Sequence, residues 1–377
     1  MRPGNGVRAA TLVAPGDLRL QSYPYPDRLE PGAVLLRMLA SGICGTDKHT
    51  YRGETSQYAG TDNARTTPFP IIQGHENVGV VEAIGGGALA FDGTPLEPGD
   101  RVVPAPNRPC NACSFCLRGF PYYMCRRLEN YGNSLTSARP PHLFGGWAES
   151  LYLLPGTPIF RVPDELPTEV AVLTELMSVT HGLDLASRLP SPAGFRPGDV
   201  VAVVGVGPLG LVHVAKAALS GAGRIVAVDR LPFRLGLARE LGADDTGEPD
   251  AARELVRAAI GGDGADIVID ATGVPESFDL AVELVRDGGT LLEVGAFVDL
   301  GPRPFNPAVL CGRNLTLVGI GGEDARVYDS TLRLLARHHR SIPFDKAVTH
   351  RFPLEQAVEA MSVALEASAA MKVVIEP

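Results

Sequence analysis

The stretch Val200 to Gly210, VVAVVGVGPLG, decides the fold of the second half of the chain. An apolar run leads directly into a G-x-G-x-x-G pattern, and a helix-compatible segment follows it. The first glycine permits a tight turn, the second lets the backbone approach a pyrophosphate, and the third allows close packing of helix on strand. Amides at the start of the helix then face the phosphates. The stretch predicts a dinucleotide-binding loop with contacts from Gly205, Gly207, Pro208, Leu209 and Gly210.

An acidic residue after the next apolar run predicts which dinucleotide binds. Asp229 closes the run IVAVD, 19 residues after Gly210. A carboxylate at this point accepts hydrogen bonds from the ribose hydroxyls and repels a 2′-phosphate. The sequence therefore favours NAD over NADP, although Arg230 could partly neutralise a 2′-phosphate. Thr272, which follows another strand candidate, is included among the predicted nucleotide contacts.

Length and charge exclude several classes of protein. The 377 residues are enough for two domains, each with its own core. A net charge of -9 argues against a nucleic-acid partner, which needs clustered Lys and Arg. The aliphatic stretch Val200 to Ala222 contains His213, Lys216 and several glycines, so no membrane span is expected. The first ten residues lack the apolar core of a secretory signal, and we expect a reducing, cytoplasmic location without disulfides.

Two sequence patterns divide the chain. Before about residue 165, prolines and glycines are dense, and short β-branched runs such as Val78 to Val81 and Arg101 to Val103 lie between turns. From Asp199 onward, apolar strands alternate with glycine turns and amphipathic helices, which predicts a doubly wound parallel sheet. Its strand candidates are Val200 to Val204, Arg224 to Asp229, Ile267 to Asp270 and Thr290 to Val294. A helix near Leu354 to Glu366 and a last strand, Lys372 to Ile375, are expected to return to the first domain.

Four cysteines close together predict a closed metal site. Cys110, Cys113, Cys116 and Cys125 form the pattern C-x2-C-x2-C-x8-C. Four thiolates at about 2.3 Å satisfy a tetrahedral Zn²⁺ and leave no position for a substrate. The predicted site is therefore structural, and the stability of its lobe should depend on the metal. Cys311, far from these four, is expected to be a buried, inert thiol.

A second set of metal-ligand residue types lies apart from these cysteines. Cys44 occurs in GICGTD, His75 and Glu76 in GHE, and Glu175 in LTEL. Taken singly, a cysteine is usually a small buried hydrophobe and a histidine an ordinary core or surface residue. The local contexts of this set favour a metal site. The histidines that stand in no ligand spacing are interpreted as ordinary side chains: His181, His338, His339 and His350.

Together the motifs resemble those of a known family. GICGTD, GHE, the four-cysteine lobe, GGWAE, GVGPLG and the terminal KVVI occur in the order seen in the zinc-containing medium-chain dehydrogenase/reductase family, across almost the whole chain. The resemblance implies an α/β protein with a GroES-like, β-rich catalytic domain, residues 1–176 and 321–377, that holds both zinc sites. It implies a Rossmann domain over residues 177–320. We also expect a small-molecule alcohol or carbonyl substrate and a homodimer or homotetramer.

The resemblance assigns zinc ligands to matching positions. It implies that Cys44 and His75 bind a catalytic zinc, with Glu76 or Glu175 as a third or exchangeable ligand. It implies a structural zinc on the four clustered cysteines, and hence two zinc ions per chain. Two departures stand out: the gap before Cys125 is eight residues rather than the usual seven, and the stretch RGETSQYAGTDNARTTPF after Tyr51 is longer than expected. This stretch is predicted to reshape the substrate entrance.

The predicted chemistry is the oxidation of a zinc-bound alcohol. Zn²⁺ held by a thiolate, an imidazole and a carboxylate keeps an open position, where an alcohol loses its proton at much lower pH than in water. The alkoxide can then transfer hydride to nicotinamide C4, which predicts a site in the cleft between the domains. By resemblance, Thr46 supplies the hydroxyl that touches the substrate oxygen, and His49 passes the proton to water.

The carboxylate at Glu175 bears on the substrate. Simple-alcohol enzymes of the family commonly have cysteine there, so Glu175 resembles the sugar, polyol and amino-alcohol branches. The leading class is a secondary alcohol on a small polar molecule, with sugars, polyols, cyclitols and hydroxy amino acids all open. A simple alcohol substrate and a zinc-stabilised, non-catalytic binding protein remain as alternatives. The binding protein would predict broken site residues, whereas Cys44, Thr46, His75 and Asp229 are intact, and Cys44 with His75 also opposes zinc-free enone reduction.

Overall fold

The computed structural model describes residues 6–368 and 370–377, which group into two compact units. The first unit contains the chain up to Glu175 together with Asp324–His339 and Val348–Pro377, and the second contains Leu176–Glu323 and Arg340–Ala347. The sequence-based boundaries assigned all of 321–377 to the first domain. Residues 340–347 instead group with the second unit, where an ion pair joins Lys346 to Glu240. Residues 1–5, which open the predicted first domain, lie outside the described residues.

The first unit is rich in short strands, as its dense turn residues predicted. Its elements in chain order are β1 (Val7–Ala14), β2 (Asp17–Tyr23), β3 (Val34–Gly42), α1 (Gly45–Tyr51), β4 (Ser56–Gln57), β5 (Arg65–Thr66), β6 (Ile71–Ile72), β7 (Glu76–Ile84), β8 (Arg101–Pro104), β9 (Asn107–Arg108), α2 (Ser114–Leu117), β10 (Glu129–Asn130), β11 (Ser150–Leu153), β12 (Ile159–Arg161), α3 (Thr168–Ala171), α11 (Tyr328–His338), β19 (Val348–Pro353), α12 (Ala357–Leu365) and β20 (Lys372–Glu376). A further helix, α4 (Thr174–Ser178), crosses the boundary between the units.

One seven-stranded sheet organises the first unit. Its strands run in the order β12-β8-β7-β3-β20-β19, and β11 also pairs with β3. The fully buried Trp147, Leu35 and Leu36 belong to the apolar core of this unit. Two of the strands, β7 and β20, flank the end of β3, where Gly42 pairs with Glu76 on one side and with Val374 on the other. The C-terminal strand therefore returns to the first unit, as expected from its apolar sequence.

The second unit is an alternating α/β structure. Its elements in chain order are α5 (His181–Ala186), β13 (Val200–Val204), α6 (Pro208–Leu219), β14 (Arg224–Val228), α7 (Pro232–Glu240), β15 (Asp245–Gly247), α8 (Ala252–Ile260), β16 (Ala265–Asp270), α9 (Ser277–Leu284), β17 (Val285–Glu293), α10 (Pro307–Arg313) and β18 (Thr316–Gly319). The four predicted strands all form. The last of them begins at Val285 rather than Thr290, because Val285 pairs with Ala265 across a register shift.

A six-stranded parallel sheet in the order β15-β14-β13-β16-β17-β18 confirms the predicted doubly wound arrangement. Strand β13 is buried along its whole length, as a central parallel strand covered on both faces should be. The strand order reverses between β13 and β16, and ligands of such sheets bind beyond the carboxyl ends of the strands at this reversal. None of the described helices combines the length and the apolar composition that crossing a bilayer requires.

Candidate metal centres and nucleotide site

Three of the predicted metal ligands come together at the ends of neighbouring strands in the first unit. One ligand atom from each of Cys44, His75 and Glu76 lies within 4.8 Å of the others. Strand pairing explains this, because β3 ends two residues before Cys44, and β7 begins directly after His75. Gly42 leaves room for the carboxylate, since a Cβ there would lie 1.9 Å from Glu76 Oε2. A thiol, an imidazole and a carboxylate match the donor set of a catalytic Zn²⁺.

Asp47 supports this cluster, a role that the sequence motifs did not predict. Its fully buried carboxylate accepts the backbone N–H of Cys44 at 2.8 Å and lies 3.6 Å from Nδ1 of His75. Burial alone would lower the pKa of His75, but Asp47 and the Cys44 sulfur raise it well above its ordinary value. With Nδ1 facing Asp47, Nε2 is the imidazole nitrogen left for a metal. Its position as the acidic residue of GICGTD, three residues after Cys44, could have indicated this supporting role.

Lys372 forms an ion pair with the Glu76 carboxylate, and it too was missed. Its ammonium group donates to both carboxylate oxygens, at 2.6 and 2.7 Å, and to the Ile43 carbonyl oxygen at 3.2 Å. Both side chains are buried. Burial opposes the charge on Lys372, but Glu76, followed by Cys44 and Glu175, raises its pKa. A lone lysine inside the apolar strand AMKVVI was the sequence signal, because a buried lysine requires a counter-charge.

Glu175 takes a different position from Glu76. It is buried in α4 and is not part of the set of ligand atoms that converge within 4.8 Å in the described residues. Its carboxylate instead helps to raise the pKa of Lys372. Of the two carboxylates that the resemblance left open as zinc ligands, the structure brings Glu76 to Cys44 and His75.

The helix α1 carries the two predicted proton-transfer residues. It begins directly after Cys44, so Thr46 lies in its first turn and His49 one turn further along. The imidazole Nδ1 of His49 contacts Glu54 Oε2 at 2.5 Å, and Glu54 belongs to the long stretch after Tyr51. The sequence did not indicate this partner. The contact fixes the orientation of the His49 ring.

The four clustered cysteines converge as their spacing predicted. Their sulfur atoms lie within 4.8 Å of one another, and Cys110 N–H donates to Cys125 Sγ at 3.2 Å. Backbone N–H groups of Cys116 and Arg126 donate to Cys113 and lower the pKa of its thiol to about 6, whereas burial raises the pKa of Cys125 to about 12. Four convergent thiols with amide donors fit a closed tetrahedral zinc site.

Cys311 differs from its prediction. It was expected to be buried, but it is exposed on α10. No residue of the short helix α10 is fully buried, and Val309 rather than Cys311 packs against the apolar core.

The glycine loop has the geometry that its sequence predicted. Gly205 has φ +80°, and a Cβ there would lie 2.5 Å from the Thr272 methyl group. A Cβ on Gly210 would lie 1.8 Å from the Gly205 carbonyl oxygen, so only glycine fits. Gly207 is the N-cap of α6, with Pro208 and Leu209 in its first turn. The backbone N–H groups at this helix start are available to an anionic ligand.

Asp229 lies beside this loop and has a cationic neighbour. Its carboxylate accepts the backbone N–H groups of Val206 and Leu231, both at 3.0 Å. The cation next to it is Arg234, whose Nη1 lies 3.7 Å from Asp229 Oδ2, whereas Arg230 is exposed. The sequence indicated only Arg230 as a cation beside Asp229. Arg234 lies in the first turn of α7, and this closeness to Asp229 in the sequence could have indicated it as the cation.

Two carboxylates lie on neighbouring strands close to Thr272. Asp270 and Glu293 are register partners at the carboxyl ends of β16 and β17. Asp270 accepts the N–H and hydroxyl of Thr272 at 3.0 and 2.9 Å, and Glu293 accepts the N–H groups of the turn after β17. Burial, and then the charge of Asp270, raises the pKa of Glu293 to about 7. The negative charge of Asp270 therefore favours the protonated form of Glu293.

Comparison with known proteins matches both halves of the chain. The family model described as "Alcohol dehydrogenase GroES-like domain" matches residues 30–164, and that described as "Zinc-binding dehydrogenase" matches residues 208–337. The 5-exo-hydroxycamphor dehydrogenase of Pseudomonas putida is 32% identical over 98% of both chains. The chain belongs to the zinc-containing medium-chain dehydrogenase/reductase family. The resemblance seen in the sequence is thereby confirmed.

Two further similarities extend the comparison of this dehydrogenase. The sorbitol dehydrogenase of Ovis aries is 31% identical, over 95% of this chain and 93% of that one. A solved structure of a zinc-binding dehydrogenase from Sinorhizobium meliloti, bound to NADP, superposes with a TM-score of 0.82 at 27% identity. That match covers 99% of this chain and 100% of the other. This dehydrogenase is therefore a zinc-dependent oxidoreductase of alcohols.

Proposed function

We propose that this dehydrogenase interconverts a secondary alcohol and a carbonyl on a small polar molecule, with NAD as the hydride carrier. The convergence of Cys44, His75 and Glu76 within 4.8 Å, next to the helix that bears Thr46, is the observation that carries the proposal. When bound by these residues, Zn²⁺ would lower the pKa of an alcohol at its open position.

The protein's own residues then handle the proton. Thr46 accepts the alcohol proton through its hydroxyl and passes it towards His49, whose ring is oriented by Glu54. His49 releases the proton to water. Asp47 orients the zinc-binding imidazole and the Cys44 backbone, and Lys372 neutralises the carboxylate of Glu76 when that carboxylate does not bind metal.

Activity measurements with a panel of substrates test the proposed function. Sugars, polyols, cyclitols, amino alcohols and hydroxy amino acids would be compared with simple alcohols and a bicyclic secondary alcohol, by following reduced nucleotide absorbance. The names of the relatives, with 5-exo-hydroxycamphor beside sorbitol, justify including both extremes. We expect the highest kcat/KM for a polyhydroxylated substrate. A zinc-loaded enzyme that turned over no member of the panel would support the non-catalytic alternative.

We predict two zinc ions per chain. Metal analysis of the purified protein should give close to two equivalents, because two separate donor clusters are present. Cys113→Ser should lower the folded yield and thermal stability, since a structural zinc contributes directly to folding. Cys44→Ser should retain the folded yield but lose activity and one zinc equivalent. Active enzyme without zinc would contradict the assignment.

We predict that NAD is used in preference to NADP. Asp229 presents a negative charge to a 2′-phosphate, and like charges in contact cost several kcal/mol. Arg234 offsets part of this charge. Steady-state kinetics should therefore give kcat/KM higher for NAD, and Asp229→Ser should shift the NAD:NADP ratio about tenfold or more towards NADP. Arg239→Ala, at an exposed position in the last turn of α7, is the matched control and should leave the ratio unchanged. Wild-type enzyme that prefers NADP would show that our interpretation of Asp229 is wrong.

We also propose a homodimer or homotetramer in a reducing, cytoplasmic setting. An exposed edge strand supports self-association: β18 lies at one end of the parallel sheet, and Leu317 on it is 44% exposed. The six cysteines, all unpaired among the described residues, are compatible with a reducing compartment. Light scattering of the purified enzyme measures the oligomeric state.

A further inference from the structure

The long stretch after Tyr51 packs on the four-cysteine lobe. It folds into a hairpin in which β4 pairs with β5, Ser56 opposite Thr66 and Gln57 opposite Arg65. Its length predicted an effect on the substrate entrance, yet its residues Tyr58, Asn63 and Arg65 form hydrogen bonds with residues 107–130. We call residues 52–67 the strap.

Asn63, at the turn of the hairpin, holds the lobe backbone at two points. Its Nδ2 donates to the Cys125 carbonyl oxygen at 2.5 Å, and its Oδ1 accepts the N–H of Leu128 at 3.4 Å. Between these two points, Arg127 N–H donates to Cys125 Sγ at 3.4 Å. One side chain therefore brackets the short segment that positions the fourth sulfur.

Arg65 strengthens the same attachment from the other strand of the hairpin. Its Nη1 donates to the Leu128 carbonyl oxygen at 2.8 Å, and its guanidinium lies 4.7 Å from the centre of the Tyr58 ring. The Tyr58 hydroxyl in turn contacts Asn107 and Asn130, both at 3.4 Å. These contacts join the strap to strands on both sides of the cysteine loop.

The other end of the strap is attached to helix α1. Glu54 N–H donates to the His49 carbonyl oxygen at 2.9 Å, and the Glu54 carboxylate contacts the His49 ring. The strap therefore runs without interruption from the helix after Cys44 to the loop that contains Cys125.

We propose that Asn63 is a positioning residue for the structural zinc site, and that the strap couples this site to helix α1. The proposal rests on the proposed zinc at the four cysteines. Asn63 stabilises the turn after Cys125, in which the Arg127 N–H donates to Cys125 Sγ. This turn holds the fourth sulfur in position for the metal. Groups that orient metal ligands in this way typically change metal affinity by about 10- to 100-fold when removed.

Zinc release measures the effect on the lobe alone. In a Cys44→Ser background the structural site retains its metal, and its release to the chromophoric chelator 4-(2-pyridylazo)resorcinol is followed in the full chain. We expect release about 10- to 100-fold faster in Asn63→Ala. Asn63→Asp should behave like the alanine variant, because a carboxylate cannot donate to the Cys125 carbonyl. Asp62→Asn is the matched control: Asp62 is exposed and its ion pair with Arg126 is a surface contact, so release should match the parent.

Hydrogen exchange measures the coupling along the strap. In the Cys44→Ser chain, removal of the remaining zinc should accelerate amide exchange across residues 53–67, with little change in β13 of the other unit. Release at the parent rate from both Asn63 variants, or unchanged exchange in the strap, would overturn the proposal. If Asn63→Ala does not fold, the exchange experiment on the parent chain decides. A Cys44→Ser chain that holds no zinc would instead contradict the proposed structural zinc at the four cysteines.

Discussion

Replacing Thr46 by valine is expected to lower kcat by about 10²- to 10⁴-fold, the usual contribution of a positioned proton acceptor. Valine matches the shape of threonine, so the helix and the neighbouring Cys44 should stay in place while the hydroxyl is lost. Nucleotide affinity should change little. Stopped-flow measurement of the first turnover, with nucleotide Kd measured separately, distinguishes loss of chemistry from loss of binding.

Thr50→Val supplies a control on the same helix. The Thr50 side chain is buried, and its hydroxyl has no hydrogen-bond partner in the described residues, so kcat should remain close to wild type.

His49→Gln should lower kcat roughly tenfold at neutral pH and less at high pH, where hydroxide takes over the role of His49 in proton transfer. Added imidazole should restore part of the rate. A wild-type pH profile without rescue would assign His49 to the turn rather than to proton transfer.

Lys372→Met is expected to lower the free energy of unfolding by about 3–5 kcal/mol, because it leaves the Glu76 carboxylate buried without its partner. Methionine fills a similar volume, so the loss reports the charge more than the packing. Equilibrium urea unfolding in a Cys44→Ser background, which keeps the structural zinc but not the catalytic one, measures it.

A double-mutant cycle isolates the pair. Glu76→Gln combined with Lys372→Met should be more stable than Lys372→Met alone, since no unpaired charge then remains. A loss below about 1 kcal/mol from Lys372→Met in the Cys44→Ser background would show that another group of the protein stabilises the Glu76 charge. Arg351→Met is the control. Arg351 forms an exposed ion pair with Glu376, which lies in β20 like Lys372, so its replacement should change the free energy of unfolding little.

The parts of this protein that the sequence predicted are those whose chemistry is local. The glycine loop and the four cysteines each lie within one short segment, so spacing alone defines their geometry. Strand β17 shows the limit of this approach. Its first residues, VRDGG, are typical of a turn, yet Val285 pairs with Ala265, and that pairing partner is visible only in the folded sheet.

The missed site residues depend on contacts between distant segments. Lys372 and Glu76 are 296 positions apart, and no local pattern indicates that a lysine in an apolar strand meets that carboxylate. Arg234 was overlooked because helix α7 turns it back towards Asp229, whereas the adjacent Arg230 points to solvent. The contacts of Glu54 and Asn63 were likewise inaccessible, since they arise from how the strap folds.

Gly42 has a consequence for recombination between relatives. It lies where β7 and β20 flank the end of β3, so three segments far apart along the gene meet around one backbone position without a side chain. A chimera with a breakpoint anywhere between codons 76 and 372 inherits the carboxylate from one parent and the ammonium group from the other. Such chimeras remain compatible when both parents carry the same pair. When the parents differ in it, viable crossovers should cluster outside that interval.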